Sequence, residues 1–245
     1  MKFLNTRIDN LTMEQAVDRI DHMVRTGYNQ YVVTPNVDHI VRLEKDVHFR
    51  KIYEEASLVL TDGQPLIWFS RLLKIPIVEK VSGSDLFPKV CERAAIRGYR
   101  VFLLGAGEGV AVQAAERLKK KYRGLQIAGV YSPPCDFEKD QEELEKIYDI
   151  LQKSQPEILA IGLGTPKQER FFYNHRDYMR IPVVLHIGAT IDFEAGAVKR
   201  APVWMSRMGF EWLYRLMKEP RRLAKRYLVD DLSILKIVWK YRKNR

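Results

Sequence analysis

The feature that most restricts how this chain can fold is an alternation of two sequence patterns that continues to about residue 190. Short runs of β-branched and other apolar residues alternate with longer stretches that have helical periodicity. This alternation is typical of a parallel sheet with crossover helices on its faces. We therefore predict an α/β fold for residues 1–198, a doubly wound, mostly parallel sheet flanked by helices. Residues 199–245 are predicted to form a basic helical C-terminal appendage.

Individual elements follow from the same patterns. Thr12-Met-Glu-Gln15 has the form of a capping box and predicts a helix that runs to about Arg25. Further helices are predicted from residue 110 to about Tyr122 and at 140–152, 166–177 and 204–219. The predicted strands are the apolar runs Tyr31–Thr34, Leu58–Thr61, Val101–Leu104, Gln126–Val130, Ile158–Gly162 and Val183–Ile187.

Glycine and polar residues collect directly after the predicted strands. In open α/β sheets the ligand crevice lies outside the carboxyl ends of the strands. We therefore expect these loops to converge on one edge of the sheet and to form a ligand site there. The loops are Thr34-Pro-Asn36, Thr61-Asp-Gly63, Gly105–Gly109, Gly162–Glu169 and Gly188–Asp192.

The charge of the chain is distributed unevenly. Residues 1–198 hold 27 Lys and Arg against 27 Asp and Glu, whereas residues 199–245 hold 14 basic residues against four acidic ones. This tail also carries three of the four tryptophans. It could face an anionic membrane, nucleic acid, or solvent alone, with Glu211 and Arg215 as an i,i+4 pair.

Composition favours the membrane among these three interpretations. Trp and Tyr beside Lys and Arg are typical of interfacial segments. No helix-turn-helix, RNP-like or zinc pattern is present to indicate nucleic acid. We therefore predict an anionic membrane surface as a partner and no nucleic acid.

Several features favour a cytoplasmic location. Residues 1–10 lack the apolar stretch of a signal peptide, and Asp, Lys or Arg interrupts every longer apolar run. The two cysteines, Cys91 and Cys135, form no Cys-x-x-Cys pair and suit a reducing compartment.

The loop Gly105-Ala-Gly-Glu-Gly109 partly matches a dinucleotide-binding loop, in which glycines let backbone N–H groups approach a phosphate. The third glycine falls one position early, and Val130-Tyr-Ser132 stands where an acidic residue is expected. Three interpretations are open: NAD binding, contact with a non-redox nucleotide or phosphate, and a plain tight turn. The pattern favours the second.

Asp62 directly follows a predicted strand. A carboxylate partly buried at such a position is suited to proton abstraction. Spacing alone favours another interpretation, because Asp is a preferred N-cap for the helix that begins near Gln64. Thr34 and Asn36 are open to the same two interpretations, as helix-start residues or as groups that recognise a sugar.

Lys167 and Gln168 open a predicted helix, where they could contact phosphate or sugar hydroxyls or form a solvated first turn. Asp192 is either a functional carboxylate or the cap of the turn that follows it. The five histidines show no ligand spacing, and no Asp-x-Asp motif occurs. We therefore predict no catalytic metal and no cofactor, with charge neutralised by Lys, Arg and backbone dipoles.

A series of motifs extends over nearly the whole chain in a fixed order. They are Thr34-Pro-Asn36, Asp62-Gly63, Gly83-Ser-Asp85, Gly164–Glu169, Gly188–Gly196, Arg200-Ala-Pro-x-Trp204, Glu211-Trp-Leu-Tyr-Arg215 and Glu219-Pro-Arg-Arg222. Each motif is weak by itself, whereas their order makes the joint match specific. Together they resemble the WecG/TagA/CpsF glycosyltransferase family.

The resemblance implies an inverting, metal-independent glycosyltransferase. Asp62 would be the general base on the acceptor hydroxyl, Thr34 and Asn36 would hold the sugar, and Gln168 would contact donor or acceptor. From the loops themselves we predict Gly105, Lys167, Asp192 and Asp85 as further substrate-binding residues.

The resemblance also assigns positive charges around the active site. Arg215, Arg222 and Lys225 of the appendage would cover the active site at the membrane, with Lys225 in place of an expected arginine. Lys80 likewise replaces an arginine before the Gly-Ser-Asp motif, so that a bidentate clamp on diphosphate becomes a point charge.

The predicted activity is transfer of N-acetylmannosamine, its uronic acid or glucose from a UDP-sugar to an undecaprenyl-diphosphate-linked saccharide in cell-surface polysaccharide synthesis. We expect a cytoplasmic enzyme, peripheral on the inner face of the cell membrane and able to form a homo-oligomer through its core. The alternative is a non-catalytic peripheral membrane or nucleic-acid-binding protein with a regulatory nucleotide pocket.

Overall fold

The computed structural model describes residues 1–202, 204–205, 209–218, 220–225, 227 and 230–243, except for the side chains of Arg215 and Arg222. The strands are β1 (Lys2–Phe3), β2 (Thr6–Arg7), β3 (Gln30–Val33), β4 (Leu58–Val59), β5 (Arg100–Gly105), β6 (Gln126–Tyr131), β7 (Ile158–Gly162) and β8 (Val183–His186). The helices begin with α1 (Met13–Thr26), α2 (Val37–Lys45), α3 (Val47–Glu54), α4 (Gln64–Leu72), α5 (Gly83–Arg97) and α6 (Val110–Lys121). They continue with α7 (Gln141–Ser154), α8 (Lys167–Met179), α9 (Thr190–Ala195), α10 (Glu211–Lys218), α11 (Pro220–Lys225) and α12 (Ser233–Lys243).

Six of the strands form a parallel sheet in the order β4-β3-β8-β7-β5-β6, whereas β1 and β2 form a separate antiparallel pair. In the centre of the sheet, β7 pairs in parallel with both β5 and β8, so that Ala160 lies between Leu103 and Leu185. The predicted α/β class, a parallel sheet flanked by helices, is confirmed. All six predicted strands are present, although β4 ends at Val59 rather than at Thr61.

The apolar strands explain why this sheet forms. A parallel sheet covered by helices on both faces needs strands that are apolar throughout. Leu103, Ala160 and Val184 are accordingly buried. The polar residues that follow these strands then lie at the carboxyl ends, outside the apolar layer.

The chain forms two compact units, each made of segments that are distant in sequence. The first unit comprises Met1–Thr12, Thr34–Ser82 and Arg200–Arg245, and the second comprises Met13–Val33 and Gly83–Lys199. In the first unit, the Asp9 carboxylate accepts a hydrogen bond from the backbone N–H of Val59 (2.8 Å). The boundary at residue 198, predicted from the charge distribution, stays a prediction.

The C-terminal segment packs within the first unit. Helix α12 buries Ile234, Ile237 and Val238, and its Lys240 donates a hydrogen bond to Glu44 of α2. The prediction of one helix over 204–219 is wrong, because Gly209 adopts a φ of +81° and α10 begins only at Glu211.

Gly209 interrupts the helical pattern for two physical reasons. A positive φ is readily accessible only to glycine. A Cβ at this position would also lie 2.8 Å from the Cβ of Gln64 on α4. Among the helices that the structure describes, none combines the length and apolar character required to cross a bilayer.

Candidate functional site

Three loops of the first unit meet after β4. The backbone N–H of Asp62 donates to the carbonyl of Pro35 (2.9 Å), between Thr34 and Asn36. The N–H of Val81, next to Lys80, donates to the carbonyl of Thr61 (2.9 Å). The structure therefore brings together the loops that carry four predicted site residues, Thr34, Asn36, Asp62 and Lys80.

Asp62 does not cap the helix that follows it. The N-cap position of α4 is Gly63, with a φ of +95° and no side-chain hydrogen bond to the helix. The cap interpretation of Asp62 is therefore wrong. Asp62 is half-buried, one residue before the cap.

Asn36 does begin a helix, as one of the two interpretations predicted. Its Oδ1 accepts a hydrogen bond from the backbone N–H of His39 (3.4 Å), and the His39 ring contacts the backbone N–H of Asn36 (3.3 Å). These reciprocal contacts form a capping box at the start of α2. A sugar-binding role for Asn36 stays a prediction.

Glycines hold the ends of β5 and β7 together in the second unit. Gly105 has a φ of +118°, and a Cβ there would lie 2.6 Å from the carbonyl oxygen of Gly162. The hydroxyl of Ser132 donates to the carbonyls of Gly105 (3.1 Å) and Gly107 (3.2 Å). Gly105 therefore serves a tight turn and a close packing contact, and its contact with a phosphate stays a prediction.

Gln168 belongs to a buried polar network in the first turn of α8. Its Oε1 accepts from the backbone N–H of Gly188 (3.0 Å), at the end of β8. Its Nε2 donates to Oε1 of Glu169 (2.9 Å), which also accepts from the hydroxyl of Thr165 (2.9 Å). Gln168 is only 3% exposed, so the interpretation of a solvated first turn is wrong for this residue.

Lys167 contacts the segment between β6 and α7. Its Nζ lies 2.8 Å from Oε2 of Glu138 and 4.9 Å from the centre of the Phe137 ring. Burial acts to raise the pKa of Glu138, but the hydrogen bond and charge of Lys167 outweigh it and lower this pKa. A phosphate that bound Lys167 would have to compete with this carboxylate.

The remaining predicted residues lie in separate elements. Asp85 lies in the first turn of α5, and Asp192 lies inside α9, where its carbonyl accepts from the N–H of Val198 (3.3 Å). Lys225 is exposed at the end of α11. The predicted roles of Arg215 and Arg222 depend on side chains outside those that the structure describes.

Sequence reasoning missed Glu169 and His186 as buried polar residues. Glu169 is 1% exposed. Nδ1 of His186 lies 3.1 Å from the carbonyl oxygen of Val32, and the His186 ring contacts the rings of Tyr31 and Phe172. The position of Glu169 next to Gln168, in the first turn of a helix that also buries Phe172, was the available signal. Within the described ranges, no cluster of three or more His, Cys, Asp or Glu residues is arranged to hold a metal ion.

Comparison with known proteins identifies the family. The model of the glycosyl transferase WecG/TagA/CpsF family matches residues 1–245. A relative from Bacillus spizizenii strain W23 is 31% identical over 83% of this chain and 78% of its own length. A relative from Bacillus subtilis strain 168 is 27% identical over 96% of this chain and 90% of its own length.

A third relative, from Staphylococcus aureus strain MW2, is 27% identical over 91% of this chain and 86% of its own length. All three relatives are named N-acetylglucosaminyldiphosphoundecaprenol N-acetyl-beta-D-mannosaminyltransferase. The resemblance that the motifs indicated is thus confirmed over the full chain. The chain belongs to the WecG/TagA/CpsF family of glycosyl transferases.

Proposed function

We propose that this glycosyltransferase moves a sugar from a UDP-sugar to an undecaprenyl-diphosphate-linked saccharide. The observation that carries the proposal is the family match along residues 1–245, together with relatives whose shared name specifies such an acceptor. That name also specifies N-acetylmannosamine, which makes it the first sugar to test among the three that the sequence leaves open.

Asp62 acts as the general base in this proposal. The acceptor hydroxyl becomes nucleophilic as its proton passes to the carboxylate, and it attacks the anomeric carbon on the face opposite UDP. Asp62 is half-buried, is not used as a helix cap, and lies against the Thr34-Pro-Asn36 loop. Thr34 and Asn36 then hold the sugar through hydroxyl and amide groups.

The departing diphosphate requires positive charge and hydrogen-bond donors. In the first unit, Lys80 supplies a point charge. Lys167 and the N–H groups near Gly105, which belong to the second unit, stay predicted phosphate contacts. Arg215, Arg222 and Lys225 add charge from the C-terminal segment, so the proposal requires no metal.

In this proposal the C-terminal segment binds the cytoplasmic face of the membrane. Helix α12 turns one apolar face toward α2 and exposes another, with Leu235 and Trp239 58% and 60% exposed. Lys236 and Lys243 flank these two side chains, and Nζ of Lys243 lies 3.7 Å from the centre of the Trp239 ring. An apolar stripe bordered by lysines suits anionic headgroups.

The decisive experiment measures release of UDP from a panel of UDP-sugars, with and without an undecaprenyl-diphosphate-linked N-acetylglucosamine acceptor. We expect release that depends on the acceptor and is fastest with UDP-N-acetylmannosamine. EDTA should leave the rate unchanged. Binding of UDP without turnover on any donor would favour the alternative of a regulatory nucleotide pocket.

Asp62→Asn tests the proposed base. The amide keeps the size of the side chain but cannot accept the proton, so turnover should fall by about a hundredfold or more. Affinity for UDP, measured by calorimetry, and the melting temperature should stay at wild-type values. Asp149→Asn, which removes an exposed carboxylate from α7, is the matched control and should leave turnover unchanged. Near-normal turnover of Asp62→Asn would remove Asp62 from the mechanism.

A further inference from the structure

A fully buried carboxylate, that of Glu169, lies next to Gln168. Glu169 is 1% exposed, less than any other described Asp, Glu, Lys or Arg. Burying a charged group is costly unless hydrogen bonds compensate it. Thr165 and Gln168 both donate to the same oxygen, Oε1 (2.9 Å each).

The contacts of Gln168 allow only one orientation of its amide. The backbone N–H of Gly188 is a donor, so it must face Oε1 of Gln168. A carboxylate such as that of Glu169 only accepts, so it must face Nε2. Reversing the amide would place two donors together at Gly188 and two acceptors together at Glu169.

This orientation decides what Gln168 can offer to a ligand. An amide nitrogen carries two hydrogens, and Glu169 takes one of them. Among the described residues, no protein acceptor takes the other. Gln168 is therefore prepared to donate one hydrogen bond, which suits a hydroxyl or phosphate oxygen.

We infer that Glu169 is a positioning residue, which acts through Gln168. It holds the amide so that one end fixes the Gly188 loop and the other presents an N–H to the substrate. The catalytic part of this inference rests on the proposed transferase function. The structural part, that Glu169 and Gln168 together order the backbone at Gly188, stands without it.

A double-mutant cycle separates this role from a purely structural one. Methionine is close in size to Glu and Gln but accepts only weakly and donates nothing. Glu169→Met and Gln168→Met should each lower kcat by about thirtyfold, with a smaller change in KM. Since both residues act through one amide, the kcat of the double variant should lie within about threefold of the kcat of the less active single variant. A double variant whose loss of kcat equals the product of the two single losses would overturn the inference.

Glu169→Gln is the matched control. Its Oε1 can still accept from Thr165 and Gln168, so kcat should recover to within about threefold of wild type. Should Glu169→Met not fold, Glu169→Asp replaces it, because the shorter side chain keeps the charge and withdraws the acceptor. An Asp variant as active as the Gln variant would then contradict the inference.

Hydrogen exchange at the Gly188 amide supplies a readout that needs no substrate. Exchange should accelerate in Gln168→Met and in Glu169→Met, and stay at the wild-type rate in Glu169→Gln. Unchanged exchange in both Met variants would overturn the inference whatever the activity. If the Met variants exchange faster at Gly188 but the wild-type protein transfers no sugar, the proposed function is wrong. The role of Glu169 in orienting Gln168 would still hold.

Discussion

At the scale of single residues, two contacts join loops that are distant in sequence: Gly105 lies against Gly162, and Gln168 accepts a hydrogen bond from the backbone of Gly188. For Gly105 the sequence leaves a phosphate contact and a tight turn open, and its φ of +118° and its closeness to Gly162 add a packing requirement; the phosphate contact stays a prediction. Gln168 was placed in a first turn that could be solvated, but its partner Gly188 follows a different strand. Such contacts join residues distant in sequence, and neither local propensity nor spacing contains them.

The packing role of Gly105 predicts a specific loss of stability. Gly105→Ala would drive a Cβ against backbone at Gly162, which only a movement of β5 or β7 can relieve. Gly109 also has a positive φ, +74°, but a Cβ added there would have no atom within 4 Å. Gly109→Ala should therefore cost about 1 kcal/mol from backbone strain, and Gly105→Ala about 2 kcal/mol more, by urea denaturation. Equal losses would show that the contact with Gly162 relaxes at little cost.

The ion pair between Lys167 and Glu138 predicts a gain in affinity. Glu138→Gln keeps the shape of the side chain and removes the charge that competes for Lys167. The affinity for UDP at low salt should rise about two- to threefold by calorimetry, a modest gain because the pair is partly exposed. Glu142→Gln, an exposed change on α7, controls for the loss of net charge. Weaker binding by Glu138→Gln would place Lys167 away from the diphosphate.

At the scale of elements, strands were easier to predict than the helices of the C-terminal segment. The strand pattern is carried by apolar runs that a covered parallel sheet requires, so all six runs were identified. The helix over 204–219 looked continuous because its apolar stripe is continuous. The helical pattern is interrupted at Gly209, which packs closely against Gln64. These two residues are more than a hundred positions apart in the chain.

The attachment of α12 to α2 predicts a dependence on pH. Burial acts to raise the pKa of Glu44, but hydrogen bonds from Lys240 and Asn5 and the charges of Lys240 and Arg50 outweigh it and lower this pKa. A carboxyl group whose pKa is lowered by folding stabilises the fold at pH values above its pKa in the unfolded chain. That contribution is lost as the pH falls through the pKa in the folded protein. The docking of α12 should therefore weaken below about pH 4.5, near the ordinary value for Glu.

Hydrogen exchange of the backbone amides of residues 233–243, measured between about pH 3.5 and 7, reports this docking after correction for the intrinsic exchange rate at each pH. Lys240→Met should loosen α12 already at neutral pH. Lys236→Met, an exposed change four residues earlier in the same helix, should not. Protection of α12 that is independent of pH would show that its apolar contacts alone hold it.

At the scale of the whole molecule, the basic C-terminal segment, residues 200–245, belongs to the first of the two units, and the domain boundary at residue 198 stays a prediction. The most exposed tryptophans, Trp204 and Trp239, both lie in that segment. Composition showed that the segment differs from the rest. It could not show that α12 would divide its apolar residues between α2 and solvent, because that depends on a tertiary contact.

The membrane proposal predicts which surface of the molecule binds lipid. In the full chain, Leu235→Ser with Trp239→Ser should lower co-sedimentation with anionic vesicles by about half or more, since it removes apolar area but no charge. Ile96→Ser with Tyr178→Ser removes exposed apolar side chains from the second unit and is the control. Equal losses in the two double variants would contradict a specific role for α12.

The first unit draws on the beginning, the middle and the end of the chain. During synthesis its middle segment therefore emerges long before Leu223, Ile234 and Ile237, which are buried in the folded protein. A ribosome-bound chain can complete the second unit while the first still exposes apolar surface, since domains fold as units when their sequence is available. The core of the first unit can therefore close only after residues 200–243 have been synthesised, when all segments of the second unit already exist.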